Sequence, residues 1–145
     1  MENRDSIKLL KECDAGSKMA VSSLEDILDK VENVHLKKLL HETKEHHEKL
    51  GNEIHSLLMK YGSEEKDPNP MAKSMSKMKS NFMMGMKEDS DETAADLITD
   101  GFNMGIKSLY KYMNQYPKAD EKVKDLCTRL ISIEDQLRKE LRGYL

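Results

Sequence analysis

The sequence predicts an all-α protein, a bundle of four long helices, and three observations carry that prediction. Long windows place apolar residues three and four apart, the spacing of one face of an α-helix. Sustained alternation of apolar and polar residues is missing, and aromatic residues make up only 5% of the chain, so strand signals are weak. The three prolines, Pro68, Pro70 and Pro117, all fall between those windows, where a helix has to stop.

The first window gives Ile7, Leu10, Asp14, Ser17, Val21, Leu24, Leu28 and Val31, and predicts a helix over 3–32. The second gives Leu36, Leu40, Thr43, His47, Leu50, Ile54, Leu57 and Tyr61, with Leu39, His46 and Leu58 alongside, over 34–61. Asn33 suits the N-cap between them, and Gly62 stands where a helix-ending glycine is expected. A tight antiparallel hairpin follows. Residues 62–89 read as a long crossover that opens on "GSEEKDPNP" and contains one short extra helix. The third helix, over 90–116, carries Ala94, Leu97, Ile98, Gly101, Phe102, Gly105, Leu109 and Met113. The fourth, over 118–143, carries Val123, Leu126, Cys127, Leu130, Ile133, Glu134, Leu137 and Leu141. Gly101 and Gly105 allow a close helix contact.

Matched helices, each about 40 Å long at 1.5 Å per residue, form a four-helix bundle. The crossover is long enough to run its length, so the third helix starts where the second started: up-down-down-up. All 145 residues belong to one such domain.

Lys and Arg number 24 against 27 Asp and Glu, and the two signs are interleaved. That pattern makes solvated faces and offers no nucleic-acid surface, which needs a dense cationic excess. Cys13 and Cys127 have no CxxC or zinc-finger spacing and are expected to be buried and reduced. The charged "MENRDSIKLLKE" lacks the apolar core of a signal peptide, and no run reaches the ~20 apolar residues of a membrane span. A cytoplasmic protein is expected. Nucleophile motifs and phosphate-cradling glycine loops are missing, so no catalytic residue is expected.

Two long hairpins joined by a crossover, the first reading "SLEDILDKVENVHLKKLLHETKEHHEKLGNEIHSLL", resemble the ferritin-like superfamily, in particular its small bacterial members of unassigned function. The resemblance implies a di-iron site made from a Glu on each of two helices and Glu-x-x-His on each of the other two. This chain departs from it. The second helix offers Thr43-x-x-His46, the fourth Glu134-x-x-Leu137, and the first puts Val21, Leu24 or Leu28 where a core Glu belongs, with Glu25 on the flank.

A polar layer nevertheless survives at mid-height, where His46, His47, Asp100 and Glu134 come level if the turns centre near 34 and 117. Three readings of it are open from the residues: a hydrogen-bonded structural cluster, side chains facing solvent, or a site for a single transition-metal ion. His41 and His55 lie off the main stripe and are expected at the surface.

Six of the 11 methionines fall in 71–86. Met71, Met75, Met78 and Phe82 form one face of the short crossover helix, opposite Lys73, Lys77 and Lys79. This face packs on the bundle, serves self-association or a protein partner, or, with Met83, Met84 and Met86, binds copper(I) through thioethers. Two functions result: a non-enzymatic interaction or assembly module, self-associating as a dimer, or a metal-binding or oxidoreductase-type protein with a degenerate site.

Overall fold

The computed structural model describes residues 4–62 and 91–145. Apart from Gly62, the expected crossover lies outside the described residues, and with it the short helix and the Met71, Met75, Met78 and Phe82 face. Among the described residues there are four long helices and no strand: α1 (Arg4–Leu28), α2 (Val34–Lys60), α3 (Asp91–Gln115) and α4 (Glu121–Glu140), followed by a 3-10 turn, Leu141–Tyr144.

Local chemistry sets the ends. Asn33 is extended and its side-chain oxygen accepts the Leu36 N–H at 3.0 Å, satisfying a donor that the first turn of α2 leaves free. At the other end Gly62, at φ 75°, takes the left-handed conformation that ends a helix with little strain in glycine alone. The fourth helix starts later than the expected residue 118. Pro117, Lys118 and Ala119 form the turn, and Asp120 is the N-cap.

Side chains then tie the ends together. The Asp91 carboxylate accepts the N–H of Glu32 at 2.9 Å and of Asn33 at 3.1 Å, so α3 begins beside the α1–α2 turn. Lys118 N–H donates to Asp5 and Asp120 N–H to Ser6 Oγ, while Tyr61 O–H donates to the Asp120 carboxylate at 2.6 Å. The α3–α4 turn therefore sits against the start of α1 and the end of α2. Helices α1 and α4 run in the same direction, with Ser6 level with Asp120.

The stripe on α2 buries Leu36, Leu40, Thr43, His47, Leu50, Ile54 and Leu57 as its spacing predicts, whereas Tyr61 is half-buried and His46 is exposed. On α1 the buried arc is wider and rotated from the expected line: Leu9, Cys13, Gly16, Ala20 and Ile27 are buried, and Ile7, Val21 and Leu28 only half so. The reason is that α1 packs against all three other helices. A stripe suited to one neighbour is too narrow for three.

The core falls into two apolar clusters. One, around Leu9, Ile54, Leu58, Leu109, Val123 and Leu130, lies toward the α3–α4 turn. The other, around Leu24, Ile27, Leu40, Ile98, Phe102 and Leu137, lies toward the α1–α2 turn. Replacing Asp91 by Ala strips two backbone donors of a charged acceptor at the latter end and is expected to remove about 1–2 kcal/mol of stability, read as a lower urea midpoint at unchanged slope.

Candidate functional site: a polar layer across the core

Between the two clusters each helix interrupts its apolar stripe. Buried Gly16 and Ser17 do so on α1, Thr43 and His47 on α2, Gly105 on α3 and Glu134 on α4.

His47 is 0% exposed. Its Nδ1–H donates to the Thr43 carbonyl at 2.9 Å, the i to i−4 bond of a histidine folded along its own helix. That bond assigns the proton to Nδ1 and leaves Nε2 an acceptor, which has no hydrogen-bond partner among the described residues. The Phe102 ring tilts against the imidazole at 5.5 Å between centroids. Burial, assisted by nearby His46 and opposed by the Thr43 bond, lowers the His47 pKa from 6.5 to about 4, so the ring is neutral at physiological pH.

Glu134 is 2% exposed, and its Oε2 likewise has no partner among the described residues. Burial, with a smaller effect of Cys127, pushes its pKa from 4.5 up to about 8. Its room comes from Gly105. A Cβ built on that glycine would stand 3.1 Å from Glu134 Oε1, closer than side chains normally tolerate. Gly51 does the same between α2 and α1, where a Cβ would approach Ser17 Oγ to 3.0 Å.

Below Glu134 the thiols of Cys13 and Cys127 are both buried and free. Their mutual hydrogen bond, then burial and the charges of Glu134 and Glu12, hold the Cys13 pKa well above the ordinary thiol range. At the α1–α2 surface His55 Nδ1 lies 3.6 Å from the buried carboxylate of Asp14, whose other oxygen pairs with Lys18 at 3.0 Å. Beside them opens a cleft of about 470 Å³ whose walls include Ser17, His47 and Gly51.

The residues singled out by sequence are thus divided. His47 and Glu134 are inside, while His46 and Asp100 are exposed. Asp100 misses the layer because the α3–α4 turn runs on to Asp120, which shifts the partner of Glu134 along α3 to Gly105. Sequence reasoning missed the two cysteines as a pair. It also missed Glu12, which lies off every apolar stripe, 4% exposed and hydrogen-bonded to Tyr112. Among the described residues no group of three or more His, Cys, Asp or Glu is placed to hold a metal ion. A second groove, of about 500 Å³, lies between α2 and α4 over Leu57 and Leu126, with Lys49, Lys60 and Lys122 at its rim and the Arg129–Glu53 ion pair within it.

The model of a family described as Domain of unknown function (DUF2383) matches residues 5–115. The chain belongs to that family. The matched residues run from the first turn of α1 to the last residue of α3, so His47, Gly105 and Cys13 lie within the family's span, and Cys127 and Glu134 lie beyond it. No curated protein and no solved structure matches the chain. No described helix is long and apolar enough to cross a membrane.

The two buried groups give stability opposite dependences on pH. The unfolded chain protonates His47 near 6.5 and the folded one near 4, so this group destabilises as pH falls through that window. The unfolded chain ionises Glu134 near 4.5 and the folded one near 8, so this group destabilises as pH rises through that window. Where the windows overlap the two slopes cancel. From pH 6.5 to 8 Glu134 acts alone, and stability is expected to drop by about 2 kcal/mol. Urea unfolding at a series of pH values checks this. In Glu134→Gln, which has no proton to lose, the decline over that range disappears.

Proposed function

We propose that this chain is a single-domain, ferritin-like bundle in up-down-down-up order that lacks a complete di-iron site, and that it works in the cytoplasm as an interaction or assembly module rather than as an enzyme. The helix order is supported by the Asp91 bonds to the α1–α2 turn and by the contacts of the α3–α4 turn with Asp5, Ser6 and Tyr61. The observation that carries the functional reading is the content of the mid-height layer. A di-iron centre needs several carboxylates and two imidazoles converging there. This layer offers one buried imidazole and one buried carboxyl, with glycine filling the facing position on α3.

Self-association is the proposed partner mode, and the α2–α4 groove is the surface proposed for it. Its rim lysines, Lys49, Lys60 and Lys122, form no ion pair among the described residues, and a chain with more carboxylates than cations supplies the complementary charge in its second copy. The Leu57 and Leu126 floor adds apolar area. Native mass spectrometry after exposure to Fe(II), Zn(II) and Cu(I) is expected to show a dimer of the 16.7 kDa chain without a stoichiometric ion. Lys49→Glu with Lys122→Glu shifts it to monomer.

One observation favours a second reading. His47 Nε2 and Glu134 Oε2 are buried polar atoms without hydrogen-bond partners among the described residues, and a cation that displaced the Glu134 proton would satisfy both. In that metal-binding alternative His46 and Asp100 would have to turn inward to complete the ligand set. An ion held near stoichiometry by the native chain and lost in both His47→Ala and Glu134→Leu would replace the proposal with this reading.

A further inference from the structure

Cys13 and Cys127 stand 114 residues apart in the chain, the same separation as Ser6 and Asp120. Ser6 Oγ accepts the Asp120 N–H at 2.7 Å, which locks α1 and α4 level at that point, and the two helices run in the same direction. Two turns further along each, the same side of α1 presents Cys13 and the same side of α4 presents Cys127. Both side chains are 0% exposed, both belong to the apolar cluster near the α3–α4 turn, and Cys127 is near enough to Cys13 to raise its pKa. The Cys127 thiol also points toward the Leu109 carbonyl at 4.0 Å. Burial of single cysteines is ordinary. Two thiols brought level in one buried cluster by the register of two helices are a different arrangement.

We infer that Cys13 and Cys127 are a reversible dithiol–disulfide site that clamps α1 to α4 when oxidised. This goes beyond the assembly reading and does not depend on it. The oxidant is an external disulfide of the glutathione class. Either thiolate attacks one of its sulfurs, breaking that S–S bond and releasing one external thiol. The second protein thiolate then attacks the mixed disulfide, forming the Cys13–Cys127 bond and releasing the other external thiol. Two electrons pass from the protein sulfurs to the external disulfide, and the two thiol protons leave on the released thiols.

Burial sets the rate. The pair is closed to solvent and the carboxyls of Glu12 and Glu134 oppose ionisation of Cys13, so exchange proceeds through local opening of the helix pair and not from the closed bundle. The clamp closes a very long loop, so it restricts the unfolded chain strongly. The Ser6–Asp120 register already brings the two residues level, so the bridge forms without sliding α1 along α4.

The test is equilibration of the full chain in oxidised and reduced glutathione mixtures, with and without sub-denaturing urea to speed opening. Remaining thiols are then counted by alkylation under denaturing conditions, and bridged peptides are mapped by mass spectrometry. The expected result is a monomeric species lighter by two hydrogens, with Cys13 and Cys127 in one bridged peptide pair, formed faster in urea and reversed by dithiothreitol. Its melting temperature rises by roughly 5–15 °C over the reduced chain. The inference is overturned if both thiols remain alkylatable at equilibrium in oxidised glutathione with urea present. It is equally overturned if only glutathione adducts or bridges between two chains form, or if the bridged monomer melts below the reduced one. The wild-type chain suffices for each of these readings, so a failure of Cys13→Ser or Cys127→Ser to fold leaves the answer intact.

Discussion

The bundle depends on one constraint: at mid-height two ionisable side chains are enclosed in its interior, and both have to stay uncharged. A charged carboxylate or imidazolium in such surroundings carries a desolvation penalty that no partner among the described residues offsets. The protein meets the constraint by shifting the two groups in opposite directions. Burial holds His47 neutral by making its protonation harder and Glu134 neutral by making its ionisation harder. The neighbouring helices are adapted to the pair. Thr43 supplies the acceptor that fixes the imidazole tautomer, Phe102 covers the ring, and Gly105 leaves room for the carboxyl. The apolar core consequently forms as two clusters, each completed by turns at its own end of the bundle.

This division also explains how the helices find their register. A continuous apolar seam of leucines permits one helix to slide past another by a turn with little loss. A polar layer resists sliding, because a displaced His47 or Glu134 enters a cluster such as that of Leu40, Ile98 and Leu137. The ends add their own markers: Asp91 recognises the backbone of the α1–α2 turn, and Ser6 and Tyr61 recognise Asp120. The placement of the two cysteines at one level follows from the same end marker, two turns inward.

Much of this was legible in the sequence. The spacing along α2 picked out Leu36, Leu40, Thr43, His47, Leu50 and Ile54 as one face, and that face is buried. Asn33 and Gly62 announced their caps through side-chain chemistry and backbone freedom. The height of the polar layer and the presence in it of His47 and Glu134 were readable by counting residues from the turns. What escaped depended on tertiary context. Asp100 was assigned to the layer because Pro117 looked like the centre of a turn that in fact runs to Asp120, and a displacement of about one helical turn exchanges an aspartate for a glycine. His46 and His47 are adjacent in sequence but point about 100° apart on the helix, so one is covered and the other is not. The buried arc of α1 was misjudged because the number of its neighbours is set by the assembled bundle. The methionine face lies outside the described residues.

The two-cluster core and the helix register both depend on the neutrality of His47 and Glu134 in the folded chain. The most direct measurement is an NMR pH titration that follows the imidazole nitrogens of His47 and the side-chain carboxyl carbon of Glu134. A neutral imidazole with its proton on Nδ1 down to about pH 4 and a carboxyl that ionises near pH 8 are expected. Titration of His47 near 6.5 and of Glu134 near 4.5, the values of solvated side chains, would contradict that neutrality and place both groups in contact with water or with a charge partner.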